Sequence, residues 1–431
     1  MTGRGKHRIW IEVDDLIRYF DGSVTPTGIG RVQAQILPWL AHAYRDRVAF
    51  CRISGKGRVD VLDYEEVAQL TDGNDFLRRQ KTSVWPLSLL KLARYLCRRA
   101  AAASKNLPYS KKDRRRFASL VREGDILLNL GASWTHKGFG KSIADLKAVH
   151  GIRFALLVHD ILPVSHPHFC APGHIPTFTT WLHDMAKVWD LVLTPSRSSA
   201  EALHTYLEAG EIPVPETRVI PFGAGFASAP SPAVVQTEEH SHVLYVSTIE
   251  IRKNHMLLFR VWERLIRKHG ADGVPELVFA GKFGWEIDEL RQALLASHSL
   301  GGKIRVVENL SDDDLATLYR TSLFTVFPSF CEGWGLPVSE SLYYGRYCIA
   351  SDATSLPEVG GRFIDYHGPD DAEHAYQLIE KAIFDPAVLK EKERIIRNYY
   401  PCPTWELTAH STIAVIDERF SMSPPLAQSA I

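Results

Sequence analysis

Two glutamates eight positions apart, Glu332 and Glu340, bracket a glycine-rich turn in the run Glu332-Gly-Trp-Gly-Leu-Pro-Val-Ser-Glu340. An ionised carboxylate is a strong acceptor for hydroxyl donors. Gly333 and Gly335 let the chain turn tightly and bring bare N–H groups to a helix N-terminus, where an anion is favoured. An apolar run, LFTVFPS, precedes the turn and a helical pattern follows it. Glu340 then falls about two helical turns beyond Glu332, at roughly 1.5 Å rise per residue. This spacing suits an elongated polar ligand, with one acid at each end and a diphosphate between. Upstream, Arg252 and Lys253 follow the strand-like run YVSTIE and precede a helix. By the rule that ligands sit outside the carboxyl ends of strands, both face a wet cleft. Two cations there stabilise the charge that develops on a departing diphosphate, Arg through its planar fork, and need no metal to do so. Taken singly, the glutamates are ordinary cap and surface acids, and the cations are a solvated turn.

The order of the motifs removes that blandness. TPTGIGRV, LLVHDILP, TPSRSSAEAL, YVSTIEIRKN, LVFAGKFGW, LSDDDLATLY, the Glu332 to Glu340 run and LPEVGG succeed one another along most of residues 9–420. The chain resembles the retaining glycosyltransferases of the GT-B architecture, of the family-4 type with the EX7E signature. The likeness is strong over 243–361 and weak over 50–120. It leans towards bacterial mannosyl and rhamnosyl transferases that build surface polysaccharide on a lipid carrier.

The resemblance implies roles residue by residue. Glu332 bonds the hydroxyls of the donor sugar, and backbone N–H groups near Gly333, Trp334, Gly335 and Leu336 help to hold sugar and phosphate. Trp334 stands where Phe or Tyr is usual. Glu340 accepts from the nucleotide ribose. Arg252 and Lys253 take the diphosphate. Gly28 and Gly30, in the strand-to-helix turn TGIGRV, permit close approach to the donor diphosphate. His159, and secondarily Asp160, borders the sugar and the acceptor, with His166 in the following loop. Arg31 is a further acceptor-side cation, or equally a partner for Asp14 or Asp15. The expected substrates are a nucleotide-diphosphate sugar donor, GDP-mannose foremost with UDP-glucose, UDP-GlcNAc or a deoxyhexose donor open, and a glycan or lipid-linked saccharide acceptor. No cofactor and no metal are expected, since no H-E-x-x-H spacing or suitably placed Asp-x-Asp occurs. A GT-B epimerase or phosphorylase-like enzyme, or a non-catalytic nucleotide-sugar-binding subunit, is the alternative.

These residues need two sheets to position them. A chain of 431 residues exceeds one ordinary core, and 45% apolar with 23% charged residues is the composition of a globular protein. RIWIEVDDLI, DILLNL, RFALLVHD and DLVLTPS read as buried strands alternating with helices. HVLYVST, ELVFAG, IRVVENL, LFTVFPS and RYCIAS repeat the alternation, with helices from about Asn254, Trp285 and Asp312. Near-continuous apolar strands are the mark of a parallel sheet covered on both faces. The expected fold class is α/β, GT-B: two Rossmann-like doubly wound domains facing across a cleft. The first is residues 1–225, acceptor-binding, with a C-terminal helix over about 404–420 packing back on it. The second, residues 240–403, binds the nucleotide sugar. The aperiodic run FASAPSPAVVQTEEHSH between them reads as the linker.

Charge is neutral overall but uneven. Residues 78–116 hold thirteen Lys or Arg and one acid, Asp113. Trp85, Leu89, Leu92 and Leu96 line one stripe of a basic amphipathic helix over 85–99, so 85–116 suits an anionic membrane surface; a solvated basic face is the alternative. Nucleic acid is not an expected partner. No apolar run reaches membrane-spanning length, no signal core opens the chain, and six scattered cysteines show no metal or disulfide spacing. The expectation is a cytoplasmic protein, peripheral on the inner face of the cell membrane.

Overall fold

The computed structural model describes residues 7–22, 28–54, 58–68, 116–226 and 241–421. Residues 78–115 of the basic segment, including the helix over 85–99, and residues 227–240 of the linker run lie outside the described residues.

The first sheet contains β1 (Ile9–Glu12), β2 (Val48–Ile53), β3 (Val59–Leu62), β4 (Ile126–Asn129), β5 (Arg153–Leu157), β6 (Leu191–Thr194) and β7 (Thr217–Val219). Its strand order is β3-β2-β1-β4-β5-β6-β7. β1 pairs in parallel with β2 and β4 in register, Ile9 opposite Val48 and Ile126. β1, β4 and β6 are buried along their whole length, which explains why their sequences run apolar without alternation. β3 departs from the all-parallel expectation by pairing antiparallel with β2. Only a short segment, Ser54 to Arg58, joins β2 to β3, and a short connection returns a strand antiparallel.

The second sheet contains β8 (His242–Val246), β9 (Glu276–Ala280), β10 (Ile304–Val307), β11 (Ser322–Phe327), β12 (Cys348–Ser351) and β13 (Asp365–His367), in the order β10-β9-β8-β11-β12-β13. All its pairings are parallel. One face packs Trp262, Leu258 and Ile379 onto the strands, and the other packs Tyr319, Leu315 and Tyr344. Strand order reverses direction between β8 and β11, and between β1 and β4 in the first sheet. In open α/β sheets such reversals open a crevice at the strand carboxyl ends.

The helix expected from about Trp285 begins instead at Asp288. Glu286 takes a positive φ of 47°, which interrupts helical geometry, and Asp288 and Glu289 complement the helix N-terminus.

By packing, the chain divides into two compact units. One is Met1–Leu157 with Thr180–Val192 and Ile413–Ile431; the other is Val158–Thr179 with Leu193–Thr412. The C-terminal helix Trp405–Ser421 contributes to both: Asp417 pairs with Arg47 in the first unit, and Trp405 Nε1 donates to the Gly225 carbonyl in the second at 3.2 Å. The α/β class with two sheets is the one the sequence implies.

Candidate active site

The cations lie just past β8, on one turn of 3-10 helix, Ile251–Lys253. That turn ends on Asn254 in the left-handed region, φ 54° and ψ 40°, a conformation asparagine tolerates better than most side chains. Helix His255–His269 follows at once. Two bonds fix the main chain of the turn. Tyr245 Oη donates to the Lys253 carbonyl at 2.6 Å, and the Phe330 N–H donates to the Arg252 carbonyl at 2.9 Å. The second bond ties the loop after β11 to the loop after β8, across the sheet's reversal point.

Glu332 stands in that loop after β11. Its carboxylate bridges both cations: Oε1 is 2.5 Å from Lys253 Nζ and Oε2 is 2.9 Å from Arg252 Nη1. The opposite edge of the Arg252 guanidinium binds Glu250 Oε1 through Nη2 at 2.9 Å and Nε at 3.2 Å, and Nη1 also donates to the Cys331 carbonyl at 2.7 Å. The side chains are largely enclosed, 9% exposed for Glu332, 10% for Lys253 and 17% for Arg252. The expectation of two cations lining a wet cleft is therefore corrected: each is paired with acid inside the protein. Burial alone would raise the Glu332 pKa, but Arg252 and Lys253 outweigh it and hold the carboxyl at about 2. Burial and the Arg252 charge lower the Lys253 pKa, against the pull of Glu332. Burial opposes the charge on Arg252 too, yet Glu332, Glu250 and Asp160 raise its pKa above the ordinary value.

The Glu332 main chain is held by bonds of its own, and its carboxylate also accepts from Ser329. Its N–H donates to Thr354 Oγ1 at 2.8 Å, and its carbonyl accepts from Thr354 Oγ1 and Ser355 Oγ, both at 2.9 Å. Thr354 has a φ of 50°, a strained value for a β-branched residue. Ser355 Oγ also donates to the Trp334 carbonyl at 2.7 Å.

Gly333 is required by contact. A Cβ there would lie 2.4 Å from the His159 carbonyl oxygen. The Gly333 carbonyl accepts from Ser196 Oγ at 2.8 Å and Ser199 Oγ at 3.0 Å, at the start of helix Arg197–Ala209. Glu358, in the LPEVGG run, closes the same helix end by accepting from the Arg197 and Ser198 N–H groups. Gly335, φ 119°, caps helix Leu336–Tyr343. The helical count thus starts at Leu336, so Glu332 lies on the loop and not on the same helix as Glu340. The N–H groups of Gly333, Trp334, Gly335 and Leu336 meet no acceptor among the described residues. Glu340, buried on that helix, accepts from Tyr319 Oη at 2.8 Å.

Asp160 belongs to the same unit and is close enough to Arg252, Glu332 and Lys253 to feel their charges; burial raises its pKa against the pull of Arg252. Its Oδ1 accepts from the Leu162 N–H at 3.1 Å. The His159 ring is buried, 5.7 Å from Phe222. His166 borders Ser165 at 2.9 Å, and Phe169 of its loop stacks on Phe330 at 5.0 Å.

Gly28, Gly30 and Arg31 fall in the other unit, on helix Gly28–Ala43. Gly28 has a φ of 52°, and Tyr19 lies 3.6 Å from a Cβ placed on Gly30. Arg31 is buried and partnered. Asp14 pairs with Arg18 at 2.8 Å and Arg52 at 2.5 Å. Below them, at the carboxyl ends of β1 and β4, Glu12 accepts from Asn129 Nδ2 at 2.9 Å and Asp15 from Gln33 Nε2 at 2.6 Å.

Sequence reasoning passed over Glu250, Cys331, Thr354, Ser355 and Tyr319. Glu250 was the most legible, two residues before Arg252 in YVSTIEIRKN.

Residues 232–400 match the family described as glycosyl transferases group 1. The chain is 32% identical over 269 residues to the serotype-specific mannosyltransferase WbdA of Escherichia coli, covering 59% of this chain and 32% of that protein. It is 28% identical over 208 residues to the O-antigen chain mannosyltransferase B of Escherichia coli, covering 47% of this chain and 54% of that protein. The matches therefore span about a third to a half of these relatives' length. A glycosyltransferase structure from Rickettsia africae superposes with a TM-score of 0.59 at 14% identity, covering 97% of this chain and 100% of that one. Anabaena HepE, solved in complex with UDP and glucose, gives 0.57 at 14%, covering 96% and 100%. Residues 232–400 thus resemble the glycosyl transferases group 1, in a chain whose fold is that of the GT-B structures.

Proposed function

We propose that the chain is a retaining, metal-independent glycosyltransferase that moves a hexose from a nucleotide-diphosphate sugar to a saccharide acceptor in bacterial surface polysaccharide synthesis. The observation that carries the reading is the Arg252–Lys253–Glu332 constellation at the reversal point of the second sheet, beside the open N–H groups of Gly333 to Leu336. A diphosphate would take the two cations and those N–H groups; Glu332 would take sugar hydroxyls and Glu340 the ribose. Mannose leads as the sugar because the curated relatives are named mannosyltransferases, and GDP-mannose leads as the donor. The solved complex of HepE with UDP and glucose keeps UDP-glucose as the second donor to try.

No nucleophilic side chain is assigned to the anomeric carbon. The acceptor hydroxyl attacks from the leaving-group side and gives its proton to the departing phosphate oxygen, so the C–O bond forms on the face from which the phosphate leaves. The protein then acts by positioning and electrostatics. Asp160, His159 and His166 border the acceptor in this reading. A lipid-linked acceptor at the inner membrane face rests on the basic segment 78–116.

The test is nucleotide release from a panel of nucleotide sugars, with and without saccharide and lipid-linked acceptors. Acceptor-dependent release from one donor is expected. Release that needs phosphate or no acceptor would favour a phosphorylase-like enzyme or an epimerase, and binding without turnover a non-catalytic subunit.

A further inference from the structure

The pairing that identifies the site also blocks it. Both cations assigned to the diphosphate are engaged by Glu332, one to each carboxylate oxygen. The carboxylate assigned to the donor sugar is engaged by those same cations. While the bridge holds, the carboxylate competes with a diphosphate for both cations.

We propose that Glu332 is the resident anion of its own phosphate site, and that a nucleoside diphosphate binds by exchanging with it. The inference rests on the diphosphate reading of Arg252 and Lys253. The main chain is built for such an exchange. Thr354 and Ser355 hold Glu332 by its N–H and carbonyl, so its carboxylate, which meets Ser329 besides the two cations, can turn away without the loop moving. Arg252 does not swing with it: Glu250 grips its other edge through two nitrogens, and the Cys331 carbonyl takes Nη1. Lys253 is held through its carbonyl by Tyr245. Arg252 is thus fixed, and the exchange needs only the Glu332 and Lys253 side chains to move. When phosphate oxygens replace it, the freed carboxylate lies beside the diphosphate, where the sugar of an intact donor sits. Engagement of the sugar by Glu332 is coupled to occupation of the phosphate site. The same bridge pairs the enclosed Lys253 ammonium and gives Arg252 a second acid beside Glu250.

Glu332→Gln removes the competing charge and keeps the shape. Titration calorimetry of the full chain with inorganic pyrophosphate reads the effect, with wild type and Lys253→Ala alongside. The glutamine variant is expected to bind pyrophosphate about tenfold more tightly than wild type, since a charged competitor of the enclosed cations is gone. Lys253→Ala is expected to bind at least tenfold more weakly. Unchanged or weaker binding by Glu332→Gln, with binding still lost in Lys253→Ala, overturns the exchange and leaves the phosphate site standing. Equal binding by wild type and Lys253→Ala overturns the phosphate reading itself, and the exchange with it. Should the glutamine variant unfold too readily to titrate, Glu332→Asp replaces it. Its carboxylate is withdrawn by one methylene and competes less well for the cations, so tighter binding than wild type is again required.

Discussion

Lys253 is an enclosed ammonium whose charge depends on its neighbours. Arg252 and burial oppose it, and Glu332 sustains it. In the proposed function Lys253→Ala removes one of two charges placed against a leaving diphosphate, so turnover should fall about a hundredfold. The fold should survive, because Glu332 keeps Arg252; a thermal melt near wild type together with lost turnover is the expected pair of results. Removing both cations would leave Glu332 buried alone, at a cost of about 3–5 kcal/mol. A second residue makes a pH prediction. Glu12 is buried at the end of β1, and burial, then the nearby Asp15, raises its carboxyl above its ordinary 4.5. An acid with a raised native pKa contributes stability that is complete below its unfolded value and is lost as pH rises towards the native one. Glu12→Gln has no such charge to bury. Its stability relative to wild type should therefore be more favourable at pH 8 than at pH 5, as read by thermal unfolding at the two pH values. An unchanged difference would mean that Glu12 is ionised in the folded protein throughout.

At the scale of elements, the loop after β11 is fixed by a backbone contact. Gly333→Ala places a Cβ against the His159 carbonyl, an atom that cannot rotate aside. The variant should lose about 1–3 kcal/mol of stability by overpacking and lose transfer as well, because Glu332 moves with the loop. A denaturant midpoint equal to wild type would show that the loop yields freely. The sequence made the loop's glycines conspicuous, and it made the strands conspicuous through unbroken apolar runs. It hid what meets them. Ser196 and Ser199 lie more than a hundred residues from Gly333, and Glu358 more than a hundred from the helix it caps. No periodicity records such contacts. Glu250 was hidden differently, since an acid beside a basic pair reads as surface charge until the fork of Arg252 is seen on it. The late start of helix Asp288–Ala296 depends on the backbone of Glu286, which its residue type does not announce.

At the scale of the whole molecule, both sheets reverse strand order around their first strand, and each reversal carries a polar cluster: Glu12, Asp15 and Asn129 in one, Arg252, Lys253 and Glu332 in the other. This duplicated α/β architecture was legible because each half repeats strand and helix in turn. The packed units do not follow chain order: residues 158–179 and 193–226 pack with the second unit, through contacts such as Ser196 on Gly333. Among the described residues no helix is long and apolar enough to cross a membrane. We propose that this architecture transfers a hexose with its configuration kept, by protein cations and not a metal. One measurement tests it most directly: proton NMR of the anomeric signal of product formed from GDP-mannose and a saccharide acceptor in EDTA. The account predicts one new glycosidic linkage per GDP released, with the anomeric configuration of the donor. An inverted linkage, or product formed only after Mg²⁺ or Mn²⁺ is restored, would contradict it.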